Sequence, residues 1–281
     1  MRIATLVTSH NRREKTLACL SSLGENNTEH TIEVYLTDDG SIDGTSEVIK
    51  DVFPHVHLLH GDGKLFWSRG MYIAWKEALK GDYDYYLWLN DDVTLYPNFM
   101  DELFNSLEKA GADVIVSGLI ENKDQTEIIY GGFDKQKKIV QPSETPSFIT
   151  FMNGNVVLIP KTIVDSIGIL DPVYHHDLGD VDYGLRAIEA GFNVVATCNP
   201  VAYGYKNNYC RVREWNSTIL RRFKKLYSPL GSNPSINLYF RKKHFGVLNA
   251  VGYWGYLYFI NILPDSLISM LFGNRYVDTN N

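Results

Sequence analysis

Cysteine is scarce in this chain. Cys19, Cys198 and Cys210 are three residues in 281, far apart and with no CxxC pair. That excludes a disulfide framework and gives no zinc-binding spacing. No 20–50-residue repeat recurs, which excludes a solenoid or a propeller. The apolar stretch after Met1-Arg2, Ile3 to Val7, is too short for a signal-peptide core. The expected compartment is therefore a reducing cytoplasm. Acid is nearly missing from the end of the chain. Residues 1–200 hold 16 Lys+Arg against 30 Asp+Glu, a balance of −14; residues 201–281 hold 11 against 3, a balance of +8. Charge is absent altogether from Phe245 to Pro264. That run is long enough in principle to span a bilayer. Its Gly246, Asn249, Gly252, Gly255 and Asn261, with Pro264-Asp265 at its end, favour a buried or interfacial segment instead.

With 44% hydrophobic and 21% charged residues, the chain is globular and can bury a sizeable core. The first 200 residues alternate strand-like and helix-like patterns. Ile3–Val7, Glu33–Thr37, Val56–Leu59 and Tyr85–Leu89 read as strands, and later pieces recur at Val114–Val116, Ile128–Tyr130, Val156–Ile159 and Val194–Thr197. Between them, Leu17, Leu20 and Leu23, then Val48, Ile49 and Val52, then Met71, Ala74, Trp75 and Ala78, then Phe99, Met100, Leu103 and Leu107 fall at helical spacing. Alternation of this kind predicts an α/β fold, a Rossmann-like, mostly parallel sheet with helices on both faces. In such a sheet ligands bind outside the carboxyl ends of the strands.

Three polar clusters fall at those ends: Thr8-Ser9-His10-Asn11-Arg12, Asp38-Asp39-Gly40-Ser41-Ile42-Asp43-Gly44-Thr45 and Asn90-Asp91-Asp92. Carboxylates packed this closely repel unless they share cations or hydrogen-bond donors. Asp91-Asp92 after a buried strand suits a hard cation such as Mg²⁺ or Mn²⁺, which prefers oxygen ligands. Each cluster also has a plainer reading as a strand-end turn or a helix cap. It is their occurrence together, in order after apolar strands, that favours a site.

The run Asp38 to Thr45 resembles the DDGSxDGT signature of family 2 glycosyltransferases with the GT-A fold. Thr8–Arg12 is similar to that family's first nucleotide-binding loop, with His10 where an aromatic is commoner. Leu87–Asp92 resembles its DxD-type metal motif in the xDD form. Asp177-Leu178-Gly179-Asp180-Val181-Asp182-Tyr183-Gly184-Leu185-Arg186 resembles its ED-x-D-x-x-x-R segment, with Gly179 in place of the Glu. The four motifs in order cover about residues 1–205. They imply a GT-A nucleotide-sugar-binding catalytic domain over 1–205, followed by a helical, basic and aromatic extension over 206–281.

The resemblance implies inverting transfer of one sugar from a UDP- or dTDP-linked donor to a hydroxyl of a glycan or lipid-linked acceptor, assisted by Mn²⁺ or Mg²⁺. It points to the rhamnosyltransferase-like enzymes of bacterial surface-polysaccharide assembly. Carried over by motif, Asp92 would ligate the metal. Asp91 would contact the ribose or the metal's water shell. Asp39 would accept from a pyrimidine ring N–H, Thr8 would hold the base, and Arg69 would lie near the nucleotide. Asp180 is the candidate general base, with Asp182 and Asp177 as rivals; Asp182 is expected to anchor the following helix, whose apolar stripe reads Val181, Leu185, Ile188. The late His that many GT-A enzymes supply to the metal has no counterpart in Asn199–Tyr205. His175-His176 read as loop or acceptor-pocket residues. Trp67 with Phe66, and the loop Asn153-Gly154-Asn155, are candidate sugar- or acceptor-facing groups, with core packing as the alternative for each and the favoured one for Phe66.

No QxxRW motif is present, so the expected enzyme is non-processive. A non-catalytic nucleotide- or glycan-binding module on the same fold is the alternative, and the presence of Asp180 argues against it. A nucleotidyltransferase would carry a Gly-rich loop after the first strand, and Thr8–Arg12 has no glycine. The tail is open to two readings, peripheral contact with an anionic membrane or an interface in a homo-oligomer. Nucleic acid is set aside because the front two-thirds is acidic.

Overall fold

A computed structural model describes residues 1–25, 29–111, 113–207, 209–273 and 275–276. The chain forms two compact units. The first comprises Met1–Pro172 and Gly179–Lys206, the second Val173–Leu178 and Asn207–Asn281.

The first unit runs β1 (Arg2–Ser9), α1 (Arg13–Gly24), β2 (Thr31–Asp38), α2 (Thr45–Val52), β3 (His57–His60), α3 (Phe66–Ala78), β4 (Tyr85–Leu89), β5 (Thr94–Leu95) and α4 (Phe99–Ala110). It continues with β6 (Val114–Asn122), β7 (Ile128–Tyr130), β8 (Gly132–Phe133), β9 (Ser147–Phe148), β10 (Phe151–Met152) and β11 (Val156–Pro160). The helices α5 (Lys161–Ile167) and α6 (Gly179–Glu189) and the strand β12 (Asn193–Gly204) complete it. The main sheet has the order β3-β2-β1-β4-β11-β6-β12-β5. Along this order four of the seven pairings are parallel; β11 lies antiparallel to both β4 and β6, and β5 to β12, while β7 and β9 pair antiparallel with β6 and β12 off the path. This is a mixed sheet with helices on both faces, as the alternation predicts.

Residues 3–9 of β1 are all buried, as a strand covered on both faces requires. Two apolar layers do the covering. Cys19, Leu20, Ile49, Phe99, Leu103 and Leu107 from α1, α2 and α4 pack on one face. Met71, Trp75, Ile163, Tyr183 and Ala187 from α3, α5 and α6 pack on the other. The expected α3 stripe of Met71, Ala74, Trp75 and Ala78 is wholly buried. The α6 stripe differs from its reading. Asp182, Tyr183, Leu185 and Ala187 face inward, while Ile188 is exposed. Tyr183 turns the helix, because its ring fits between Trp75 and Trp88, 5.2 Å from each. The strand read at Val194–Thr197 extends to Gly204, through register shifts flanking Pro200. A bulge is where a sheet tolerates proline, which has no N–H to donate.

Register sets the site. Ser9 lies opposite Asp38, and Asp38 opposite His60, so β1, β2 and β3 end on one edge. Leu6 lies opposite Trp88, which brings the end of β4 to the same edge. Because β11 is antiparallel to β4, with Val156 opposite Leu89, the loop before β11 starts at that edge too.

The second unit holds α7 (Ile219–Leu226), α8 (Pro234–Phe245), α9 (Val247–Ile262) and α10 (Asp265–Phe272). Its small core is Leu226, Leu257, Ile260, Ile268 and Tyr276. Thr218 caps α7 by accepting from the Arg221 N–H at 3.3 Å, and Asn233 caps α8 ahead of Pro234. Among the described residues no helix is long and apolar enough to cross a membrane.

Candidate active site

The acidic pair follows β4. Asp91 is 4% exposed, and its Oδ1 accepts from Arg12 Nη1 at 3.0 Å. The same Arg12 nitrogen donates to Asp92 Oδ2 at 2.9 Å. Thr16 donates its hydroxyl to Asp91 Oδ2 at 3.3 Å and lies 2.8 Å from Ser9 Oγ. Burial holds the Asp91 carboxyl above the ordinary carboxylate range, against the pull of Arg12. Burial also pulls the Arg12 guanidinium down, but the two carboxylates more than offset it and the net shift is upward. Arg12 thus supplies part of the positive charge that two adjacent carboxylates need.

Asp39 has a different role in the fold. Its Oδ1 accepts from Gly63 N at 2.8 Å, and its Oδ2 accepts from Leu65 N and Phe66 N, each at 2.9 Å. The carboxylate therefore caps the start of α3, where the helix dipole favours negative charge. Three of its roughly four acceptor positions are occupied, leaving about one for a ligand. The contact holds Phe66 in the left-handed region at φ 59°, a conformation that costs about 1–3 kcal/mol and persists only where its surroundings impose it. Around it the first loop and the DDGS run interlock. His10 Nδ1 lies 2.6 Å from the Asp39 carbonyl oxygen, Asn11 N donates to Ser41 Oγ at 2.8 Å, and Ile42 N donates to Asn11 Oδ1 at 2.8 Å. Asp43 accepts from Arg13 N at 2.9 Å. The Thr45 hydroxyl, ahead of that N–H, holds the Asp43 carboxyl below its usual range.

Thr8 is buried under α3 and donates to the Thr37 carbonyl at 3.3 Å. A Cβ on Gly70 would fall 2.1 Å from Thr8 Oγ1, so only glycine lets the helix approach this closely. Arg69 donates Nε to the Pro172 carbonyl at 2.9 Å. Neither Thr8 nor Arg69 is hydrogen-bonded to the acidic pair.

Asp180 opens α6. Its Oδ2 accepts from Gly154 N at 3.0 Å and its Oδ1 from Val181 N at 2.8 Å. Gly154 is wedged in place, because a Cβ there would sit 2.6 Å from the Trp67 ring and 3.1 Å from Asp180 Cβ. Next to it, Asn155 is paired twice with Asn90, O to N at 2.8 Å and Oδ1 to Nδ2 at 3.0 Å. Trp67 Nε1 donates to Asn90 Oδ1 at 2.6 Å. A continuous chain of contacts therefore runs from Asp180 through Gly154, Asn155 and Asn90 to Asp91 and Asp92. Asp182 is fully buried and accepts from Arg186 Nε at 2.9 Å, while Arg186 also donates to the Ile167 and Ile169 carbonyls. It is an anchor for α6. Asp177, like His175 and His176, lies in the second unit, where the three help line a cavity of about 190 Å³ with Tyr227, Asn233 and Asn237. Arg211 Nη2 is 3.1 Å from His176 Nε2.

The sequence reading gave Arg12, Thr16 and Asn90 no individual roles. The signal for Arg12 was present in the charge count: two adjacent acids at one strand end need a cation, and Arg12 follows the neighbouring strand. Nothing in the sequence distinguishes Asn90 from a turn residue.

The metal question can be put to the donor set. Among the described residues no three His, Cys, Asp or Glu side chains gather as a metal cage. Asp92 is the more exposed of the pair, with its side chain 31% accessible. One exposed carboxylate beside a buried one fits Mg²⁺ or Mn²⁺, which is commonly held by one or two carboxylates together with substrate phosphates and water.

Comparison with known proteins decides the family. The model of glycosyl transferase family 2 matches residues 5–157, more than half of the chain. The chain belongs to glycosyl transferase family 2. The matched span contains Thr8, Asp39, Arg69, Asp91 and Asp92 and ends before Asp180. Among curated relatives, the chain is 25% identical over 211 residues to the N-acetylglucosaminyl-diphospho-decaprenol L-rhamnosyltransferase of Mycobacterium tuberculosis, covering 64% of this chain and 67% of that one. Among solved structures, S. aureus TarS residues 1–349 superpose with a TM-score of 0.54 at 13% identity, covering 73% of this chain and 60% of that 1–349 chain. The mannosyltransferase PcManGT of Pyrobaculum calidifontis, solved with GDP-Man and Mn²⁺, gives a TM-score of 0.58 at 13% identity, covering 96% of this chain and 79% of that one. At these identities the structural likeness establishes the family 2 chain's fold.

Proposed function

We propose that this family 2 chain transfers one sugar at a time from a nucleotide-diphospho-sugar to a hydroxyl of a glycan or lipid-linked acceptor, with inversion. The observation that carries the reading is the continuous contact chain from Asp180 to the Asp91–Asp92 pair. It ties a carboxylate able to take a proton to the acidic edge where a donor's diphosphate would lie.

Asp92, backed by Asp91, would hold Mn²⁺ or Mg²⁺, which when bound neutralises charge on the leaving diphosphate. Asp180 takes the proton of the acceptor hydroxyl as that oxygen attacks the anomeric carbon from the face opposite the leaving group. The Gly154 N–H keeps one oxygen of that carboxylate fixed. Trp67, half-buried against the α3 layer, offers the edge of a flat ring beside Gly154 to a sugar or acceptor. Thr8, Asp39, Arg69 and Asp91 are the proposed nucleotide contacts. Asp39 acts through its remaining acceptor position and through the start of α3 that it holds. UDP and dTDP are the proposed donor nucleotides. The M. tuberculosis relative's name supports a lipid-linked acceptor, and the proposed placement is the cytoplasm, peripheral on the inner face of the membrane.

Donor and base are tested together. A panel of nucleotide-sugars screened by the rise in melting temperature identifies the donor, since a ligand binding only the folded state stabilises it. With that donor, Asp180→Asn is expected to cut turnover, in transfer or in donor hydrolysis, by about 100- to 10,000-fold while leaving the donor dissociation constant unchanged. Unchanged turnover in Asp180→Asn would remove the base assignment and favour a module that binds without transferring.

A further inference from the structure

Helix α9 is apolar on both its buried and its exposed sides: Ala250, Leu257 and Ile260 face the core. Asn261 is fully buried and donates to the Val212 and Leu257 carbonyls at 3.0 and 2.8 Å. On the outer side, Leu248 is 90% exposed, and Val247, Val251, Trp254, Phe259 and Ile262 are exposed with it. Leu248, Gly252, Gly255, Phe259 and Ile262 follow at helical spacing and form one face. Every exposed residue of α9 is apolar or glycine except Asn249, which accepts from Arg241 Nη1 at 2.9 Å. In α10, Met270 is 73% exposed and Leu267 and Leu271 are exposed as well. Single exposed apolar residues are ordinary, but a whole helix face of them marks a contact surface.

Charge says what the contact is. Lys242 and Lys243 are exposed at the end of α8, a few residues before Leu248. Arg241 stacks on Tyr253, 3.5 Å from the ring centre. Among the described residues from Asn207 on, the acids are Glu214 and Asp265. Glu214 is paired with Arg221, and Asp265 with Arg213 and Arg222. The surplus is therefore positive. A second copy docking face to face would offer the same uncharged face and, among the described residues, no free acid for these lysines to meet, whereas an anionic lipid surface complements them. At 16 residues α9 is about 24 Å long, short of a bilayer's ~30 Å hydrocarbon core, so it suits lying in the interface.

We infer that the α9 face, with α10 and the Lys242–Lys243 pair, docks on an anionic lipid surface. Leu248, Val251 and Phe259 enter the headgroup boundary, and the lysines meet lipid phosphates. The inference rests on the membrane placement proposed above, but it is tested without nucleotide or acceptor, so its failure is separable from failure of the transfer reading.

The experiment is flotation of the full chain with vesicles of phosphatidylcholine alone and of phosphatidylcholine with phosphatidylglycerol. Binding is expected to the anionic vesicles and to weaken steeply with salt. Lys242→Gln with Lys243→Gln should weaken it by about 20- to 30-fold, close to a factor of five per lysine. Leu248→Glu with Val251→Glu should abolish it at an unchanged melting temperature, since both side chains are exposed. The inference is overturned if the wild type ignores anionic vesicles, or if the lysine pair can be removed without effect. A dimer in sedimentation that Leu248→Glu dissociates, with no vesicle binding, would overturn it in favour of a self-interface.

Discussion

In the sheet unit, apolar side chains fill both faces of β1 and β4, and carboxylates collect where those strands end. In the helical unit a small apolar core around Leu226, Leu257 and Ile268 is shared with fully buried Arg213 and Asn261, while Leu248 and Met270 stand in solvent. The sheet can afford acids at its edge because Arg12, Thr16 and the backbone N–H groups at the start of α3 answer them. The helical unit buries two guanidiniums around Asp265, Arg213 Nη2 at 2.5 Å and Arg222 Nη2 at 2.9 Å, and spends its apolar surface outward. One region concentrates negative charge at a sheet edge, and the other presents apolar side chains and positive charge on a face. On the readings proposed above they would meet different partners, a ligand arriving with its own cation in one case and a lipid surface in the other.

The sharpest break of this comparison is Asp265→Asn. It strands Arg213 and Arg222, and uncompensated buried charge costs about 3–5 kcal/mol. Burial, with Arg213 beside it, already pulls the Arg222 guanidinium below its ordinary value. Urea unfolding followed by Trp and Tyr fluorescence should show an early transition for the helical unit, with nucleotide binding by the sheet unit retained. Loss of both together would mean the units do not unfold independently.

Gly154→Ala probes the sheet edge. Its Cβ would press on Trp67 and on Asp180, and overpacking of this kind costs about 1–3 kcal/mol. Turnover should fall by about tenfold to a hundredfold through displacement of Asp180, with a smaller change in donor affinity. Equal losses in both would place Gly154 in binding rather than in positioning the base.

Arg12→Gln is the smallest effect and sharpens the comparison most. Arg12 Nη1 donates to both Asp91 and Asp92, so on the proposed metal reading it would compete with a divalent ion for the pair. Removing it should tighten Mn²⁺ binding in the absence of nucleotide, read by electron paramagnetic resonance. The half-exposed Arg12–Asp92 contact is worth ~0.2–1 kcal/mol, so the gain is about fivefold or less. Weaker Mn²⁺ binding would show that Arg12 organises the carboxylates instead of competing for them.

Much of the sheet unit was legible in the sequence, since short unbroken apolar runs such as Tyr85–Leu89 between helical stripes read as covered strands, and polar residues after them then fall at the edge. The direction of a side chain was not. Asp39 reads as a ligand-facing carboxylate, and nothing in the run Asp38–Thr45 says that it also caps the start of α3 by accepting from Gly63, Leu65 and Phe66. The α6 stripe was misread by periodicity because the Trp75–Trp88 pair, distant in sequence, selects Tyr183. In the tail the uncharged run was visible, but the exposed apolar face it carries was not. Composition alone does not say which side of an apolar helix faces the core.

The most direct test is calorimetric titration of UDP and dTDP into the full chain with Mn²⁺, with EDTA, and in Asp92→Asn. The account predicts that one of these nucleotides binds, that Mn²⁺ tightens the binding by about tenfold or more, and that Asp92→Asn loses that gain. Nucleotide binding of equal strength in all three conditions would contradict it.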